Sequence, residues 1–174
     1  MHRILRMVLS TAIVALVPAC KGKEPPADTA VVDRALEDSL ARVRAEIDEV
    51  RRELSEVANF AFDRSAIRAG RDRAALERKV AILQANAGLR IEIVGHCDAR
   101  GPSAYNMALG QRRADAARRF LTERGIAGDR VTTRSRGEDQ PLDPAGTPDA
   151  WARNRRVEFV ATAGGDVLRR PPAQ

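Results

Sequence analysis

Apolar residues recur at Leu36, Leu40, Val43, Ile47, Val50, Leu54 and Val57, in alternating steps of four and three, which predicts an amphipathic helix over residues 31–57. With Leu40, Ile47 and Leu54 at a and Val43, Val50 and Val57 at d, Glu46 falls at g and Arg51 at the following e, where two parallel helices could pair them. Two readings stand together: a short coiled coil that oligomerises the chain or spaces it from a surface, and a single helix that packs its seam on the domain that follows. After residue 57 the period changes. Phe60 and Phe62 alternate and suggest a strand. Leu76, Val80 and Leu83 mark a helix, and Leu89, Ile91 and Ile93 a strand. Residues 101–125 read as a helix, with Pro102 in the first turn and Gly125 suited to the left-handed position past the end. "RVTTRSRG" is a strand, "EDQPLDPAGTPDA" a loop and "NRRVEFVATA" the last strand, while residues 163–174 lack periodicity and are expected to be a disordered tail. The order β-α-β-α-β-loop-β predicts an α/β chain of the two-layer α+β sandwich type, a mixed sheet with helices on one face. Each helical crossover should join parallel strands.

The N-terminus adds a location. "MHRILR" is basic, and Met7 to Ala19 is an apolar run too short for a membrane span, so residues 1–19 are expected to be a signal peptide. The run ends in "LVPAC", which resembles a bacterial lipobox with Val17 at −3 and Ala19 at −1; Pro18 departs from the usual small residue. Cys20 would then be lipidated, and its acyl chains would anchor the chain at about 0.8 kcal/mol per buried CH₂. Lys21 follows the cysteine, so nothing argues for inner-membrane retention, and the polar, Pro-rich residues 20–30 read as a tether. Of the two cysteines only Cys97 then remains, so no structural disulfide is expected. A net charge of +6 allows an anionic partner, but the basic residues alternate with acidic ones and aromatics make up 3% of the chain, which argues against nucleic acid.

His96, Cys97 and Asp98 stand in a row and raise the question of catalysis. Neighbours on a strand face opposite ways, so Cys97 points away from His96 and Asp98. A thiol nucleophile needs a base beside it, and the only other histidine is His2, in the leader. A zinc site needs three or four ligands, and only His96 and Asp98 share a face. Neither an enzyme nor a metal centre is expected, and no cofactor.

On the wheel of the second domain helix, Tyr105, Leu109, Arg113, Ala116 and Phe120 share one stripe, with Asn106 at its edge. Arg113 therefore sits among apolar residues, where an unpaired charge is costly. Helical side chains lean toward the N-terminus, which aims Arg113 at the loop carrying Asp98. Its anion could be Asp98 itself, in a merely structural pair, or a ligand.

The runs "FAFDRSAI", "VGHCDARGPSAYNMALGQRRADAARRFLTERGI", "RSRGEDQP" and "NRRVEF" resemble, in order and spacing, the OmpA-like C-terminal domain, over residues 58–162. Within that family the chain is most similar to the peptidoglycan-associated lipoproteins. The resemblance implies non-covalent binding of peptidoglycan through the diaminopimelate of the stem peptide. Asp98 maps onto the family's ammonium-binding Asp and Arg113 onto its carboxylate-binding Arg; Asn106, Asp63 and Arg155 match positions around the pocket. First-turn amides near Ser103 to Tyr105 could help to hold the carboxylate. Cys97 stands where the family often has Thr or Ala. The expectation is a lipid-anchored outer-membrane protein with its domain in the periplasm. Tol-system proteins are expected as possible partners, and so is a homo-oligomer through residues 36–57.

Overall fold

The computed structural model describes residues 27–172 of the chain; the leader, Cys20 and most of the tether lie outside them. The chain divides into two units, residues 1–37 and 38–174, and the domain discussed below is the second. Helix α1 (Ala27–Ser55) begins in the first unit. Then follow β1 (Ala58–Asn59), α2 (Arg71–Ala85), β2 (Arg90–His96), α3 (Ser103–Thr122), a 3₁₀ turn (Gly128–Arg130), β3 (Val131–Gly137), α4 (Pro148–Asn154) and β4 (Arg156–Ala163). The predicted mixed sheet is present, in the order β1-β4-β2-β3. Strands β2 and β3 pair in parallel, as their helical crossover requires. Strand β1 does not pair with β2, because β4 inserts between them, antiparallel to both.

One buried cluster joins sheet and helices. Ile91, Ile93, Val131, Val157 and Phe159 face Leu76, Ile82 and Leu83 of α2 and Ala114, Ala117 and Leu121 of α3. Burial of such aliphatic side chains contributes roughly 1.5–3 kcal/mol each before entropy is counted. The heptad seam divides. Val50 and Leu54 are buried in this cluster and Ile47 packs against it, whereas Leu40 and Val43 are 45% and 53% exposed. The C-terminal half of the seam is thus a packing face of the domain. Lys79 of α2 reinforces the contact by donating its ammonium to the Glu53 carbonyl at the end of α1 (3.1 Å), the place where a cation favours a helix dipole. Burial lowers the pKa of Lys79 to about 8.

Three local expectations change. The first strand ends at Asn59. Phe60 donates its amide to the Arg155 carbonyl (2.8 Å), and the chain then turns through Asp63 at φ 52°, leaving Phe62 exposed. The presumed loop before β4 contains α4, started by Thr147, whose hydroxyl accepts from the Ala150 amide, and by Pro148 at the first turn. The tail as far as residue 172 is not a frayed end: Leu168 is buried in the core cluster, and Asn86 holds Arg169 by both its amide and its carbonyl (2.7 and 2.9 Å). One buried leucine between Val167 and Arg169 has no period to betray it.

Helix α3 lies on β2 at a glycine crossing. A Cβ on Gly95 would stand 1.9 Å from the Gly110 carbonyl oxygen, so only paired glycines allow the two backbones to come this close. The crossing sets the height of α3 over the sheet, one turn from Arg113. Gly95→Ala should lower stability by about 3 kcal/mol, read as a shift of the urea midpoint at constant slope.

On the opposite side of the sheet, His96 is buried with neither ring nitrogen partnered, beside Arg156, Glu158, Arg136 and Arg134. Burial first, then Arg156, lowers its pKa to about 4. The folded state therefore takes up this proton only near pH 4, the unfolded chain near pH 6.5, and stability falls as pH drops between the two. This group should make urea unfolding at pH 7 and pH 5 differ by about 2 kcal/mol, and His96→Gln should remove that part of the difference.

Candidate functional site

The five residues singled out from the sequence line one cleft of about 350 Å³: Asp63, Asp98, Asn106, Arg113 and Arg155, together with Phe62, Arg100 and Tyr105. They reach it from four segments: Asp63 from the turn after β1, Asp98 from the loop after β2, Asn106 and Arg113 from α3, and Arg155 from the end of α4. Arg113 projects from α3 and is fully buried. Its Nε donates to the Arg64 carbonyl (2.8 Å), Nη2 to the Ala61 carbonyl (3.2 Å), and Nη1 to the His96 carbonyl (2.8 Å) and Cys97 Sγ (3.3 Å). One guanidinium thus binds the 61–64 turn, the end of β2 and α3 together. The side chain leans toward the N-terminus as expected, but it does not pair with Asp98; three carbonyls and the Cys97 sulfur take four of the five N–H directions the fork offers. Burial pushes its pKa below that of an ordinary guanidinium, and it stays charged.

Asp98 sits just past β2 with 4% exposure. Its partners are Arg100 and Arg155. Arg100 Nε and Nη2 reach its two oxygens at 3.0 and 2.9 Å, the Arg100 amide adds a third bond at 3.2 Å, and Arg155 Nη1 a fourth at 3.1 Å. Burial opposes the charge on Asp98, but the bonds from Arg100 and then Arg155 outweigh it and hold the carboxyl below its usual range. Arg155 is fixed in turn by donating Nε to the Phe60 carbonyl (3.0 Å).

Asn106 works behind the surface. Its amide nitrogen donates to the Asp98 and Arg100 carbonyls (3.3 and 3.2 Å) and to the Glu138 carboxylate, which fastens the 98–100 loop to α3. Asp63 accepts the Tyr105 hydroxyl, and that bond raises the tyrosine pKa. Cys97 donates to the Asn106 carbonyl (3.2 Å), away from any imidazole, and burial pushes its thiol pKa up. Pro102 at the start of α3 makes no side-chain cap, so the first amides of the helix have no capping side chain, and Gly101, Pro102 and Tyr105 at this end line the cleft.

The model of the OmpA family matches residues 59–155, more than half of the chain. The chain belongs to the OmpA family. A peptidoglycan-associated lipoprotein of Mesorhizobium japonicum is 31% identical over 170 residues, 95% of this chain and 99% of that one. One from Brucella melitensis is 40% identical over 106 residues, which is 61% of this chain and 62% of the relative, less than two thirds of its length. The crystal structure of the peptidoglycan-associated lipoprotein from Burkholderia pseudomallei matches 60% of this chain and 88% of that chain at 33% identity, with a TM-score of 0.58.

Sequence patterns do not single out two features of this OmpA domain. Arg100 was visible only as part of "CDARG". Phe62 and Trp151 flank its guanidinium, with Cζ 4.1 and 4.2 Å from the ring centroids. A signal existed: the chain has six aromatic residues, and Phe62, Tyr105 and Trp151 all gather here.

Arg113→Met should lower stability by about 3 kcal/mol, because carbonyls that lose their donor stay under the loop without one. An unchanged denaturation midpoint would show that the guanidinium fastens nothing.

Proposed function

We propose that this chain is an outer-membrane lipoprotein, anchored through lipid on Cys20, whose periplasmic domain grips peptidoglycan reversibly through the diaminopimelate of the stem peptide. One observation carries the reading: a single cleft presents a buried carboxylate, Asp98, and a buried guanidinium, Arg113, whose only partners are a thiol and backbone carbonyls. A side chain with an ammonium and a carboxylate at one end is complementary to that pair. The relatives named peptidoglycan-associated lipoprotein support the same ligand, as does the match in order and spacing of the family motifs.

On this reading Asp98 meets the ammonium. Arg113, with the uncapped amides at the start of α3, supplies positive potential to the carboxylate. Asn106 holds the 98–100 loop in shape, and Asp63 with Tyr105 forms the far wall. Binding needs no bond to be made or broken, and the raised thiol pKa of Cys97 fits a packing role. Purified sacculi should retain the wild-type chain in a pull-down. Asp98→Asn, which keeps shape and removes charge, should weaken retention at least about tenfold while circular dichroism stays unchanged. Equal retention of the two would remove Asp98 from the site.

A further inference from the structure

Asp98 has no free acceptor position. A carboxylate offers about four lone-pair directions, and four are taken: three by Arg100, through its amide, Nε and Nη2, and one by Arg155. A ligand ammonium therefore cannot join the carboxylate while the Arg100 side chain is in place. The two arginines differ in how firmly they are held. The Arg155 side chain is 14% exposed and tied to the Phe60 carbonyl, whereas that of Arg100 is 37% exposed and its guanidinium bonds only to Asp98.

The surroundings of Arg100 stand without it. Phe62 lies in the turn whose carbonyls at Ala61 and Arg64 are gripped by Arg113. Trp151 rides on α4, which Asn154 ties to Asp143 by two bonds of 2.7 and 3.0 Å. The two rings and the carboxylate form a slot shaped for one cation, with aromatic faces on two sides and an anion at the end. In this structure the slot holds the chain's own guanidinium.

We propose that Arg100 is an internal plug. The ammonium of the ligand displaces its side chain and takes the same place, against Asp98 and between Phe62 and Trp151. This rests on the peptidoglycan-binding reading and adds a competitor and two aromatic walls to it. Charge favours the exchange: one cation leaves and one enters, so Asp98 and Arg155 face the same balance before and after. The plug weakens binding by the fraction of time the slot is open. It also favours a ligand with a true ammonium, since a neutral group could not replace the charge that leaves.

The test uses the full chain and two soluble muropeptides, one with the free amine of its diaminopimelate and one with that amine acetylated. Calorimetry should show Arg100→Ala and Arg100→Gln binding the free-amine muropeptide about tenfold more tightly than wild type. Neither variant should gain for the acetylated one. Trp151 is the only tryptophan, so its emission reports the slot. It should shift when wild type binds, and both unliganded variants should already have lost the spectrum of the plugged state. Wild-type binding with equal or weaker binding by both variants overturns the plug alone, because Arg100 would then be neutral or a ligand contact. A gain for both muropeptides alike also overturns it, since the exchange of cation for cation would be wrong. Failure of all chains to bind either muropeptide overturns the peptidoglycan reading and the plug with it.

Discussion

A fully buried guanidinium without a carboxylate partner organises this domain. Arg113 is the largest of its completely enclosed side chains, and it is satisfied by three backbone carbonyls and a thiol. Carbonyl dipoles solvate the charge without cancelling it. The cleft therefore has a positive floor that no internal ion pair neutralises, and the segments forming its walls are those whose carbonyls were recruited. Fastening and electrostatics come from one residue. Lysine could not replace it, since a point ammonium cannot reach carbonyls spread around a planar fork.

The glycine crossing makes that arrangement possible. Gly95 and Gly110 let α3 lie against β2 closely enough for Arg113 to reach the end of the strand, and Cys97 is small enough to sit beneath it. Asn106 then closes the 98–100 loop over the same spot from one turn earlier in the helix. Backbone contact, a buried cation and a buried amide act within a few residues of one another, so the loop that carries Asp98 is shaped from below rather than by its own turn propensity.

Periodicity made the main elements legible, because each long helix and central strand buries one regular face. The mixed sheet followed from their order. What stayed hidden lacks a period. Helix α4 is short and begins amid Pro, Gly and Asp, so its own sequence reads as loop. The docking of Leu168 depends on a single side chain. The heptads promised one continuous seam, yet the domain core takes Val50 and Leu54 and leaves Leu40 and Val43 in solvent; a repeat cannot tell a partner helix from a sheet. For the site, the wheel placed Arg113 on a buried stripe aimed at the Asp98 loop, the family resemblance added Asp63, Asn106 and Arg155, and the structure lines one cleft with all five. It could not name the acceptors, because a helical wheel knows directions and not carbonyls. That is why Asp98 and Arg113 share a cleft without touching, and why the aromatic pair around Arg100 emerged only in three dimensions.

The choice of cation across the molecule carries a consequence for neighbouring copies. Three of its thirty basic residues are lysines, and among the described residues the one lysine, Lys79, is buried against α1. Every other side chain in the domain that is cationic at neutral pH is a guanidinium, the group that on the proposed reading gives way to an ammonium in the slot. On the proposed reading, each copy of this protein offers the wall a slot that accepts an amine. Among the described residues no exposed lysine offers a neighbour's slot an ammonium, the group proposed to displace Arg100.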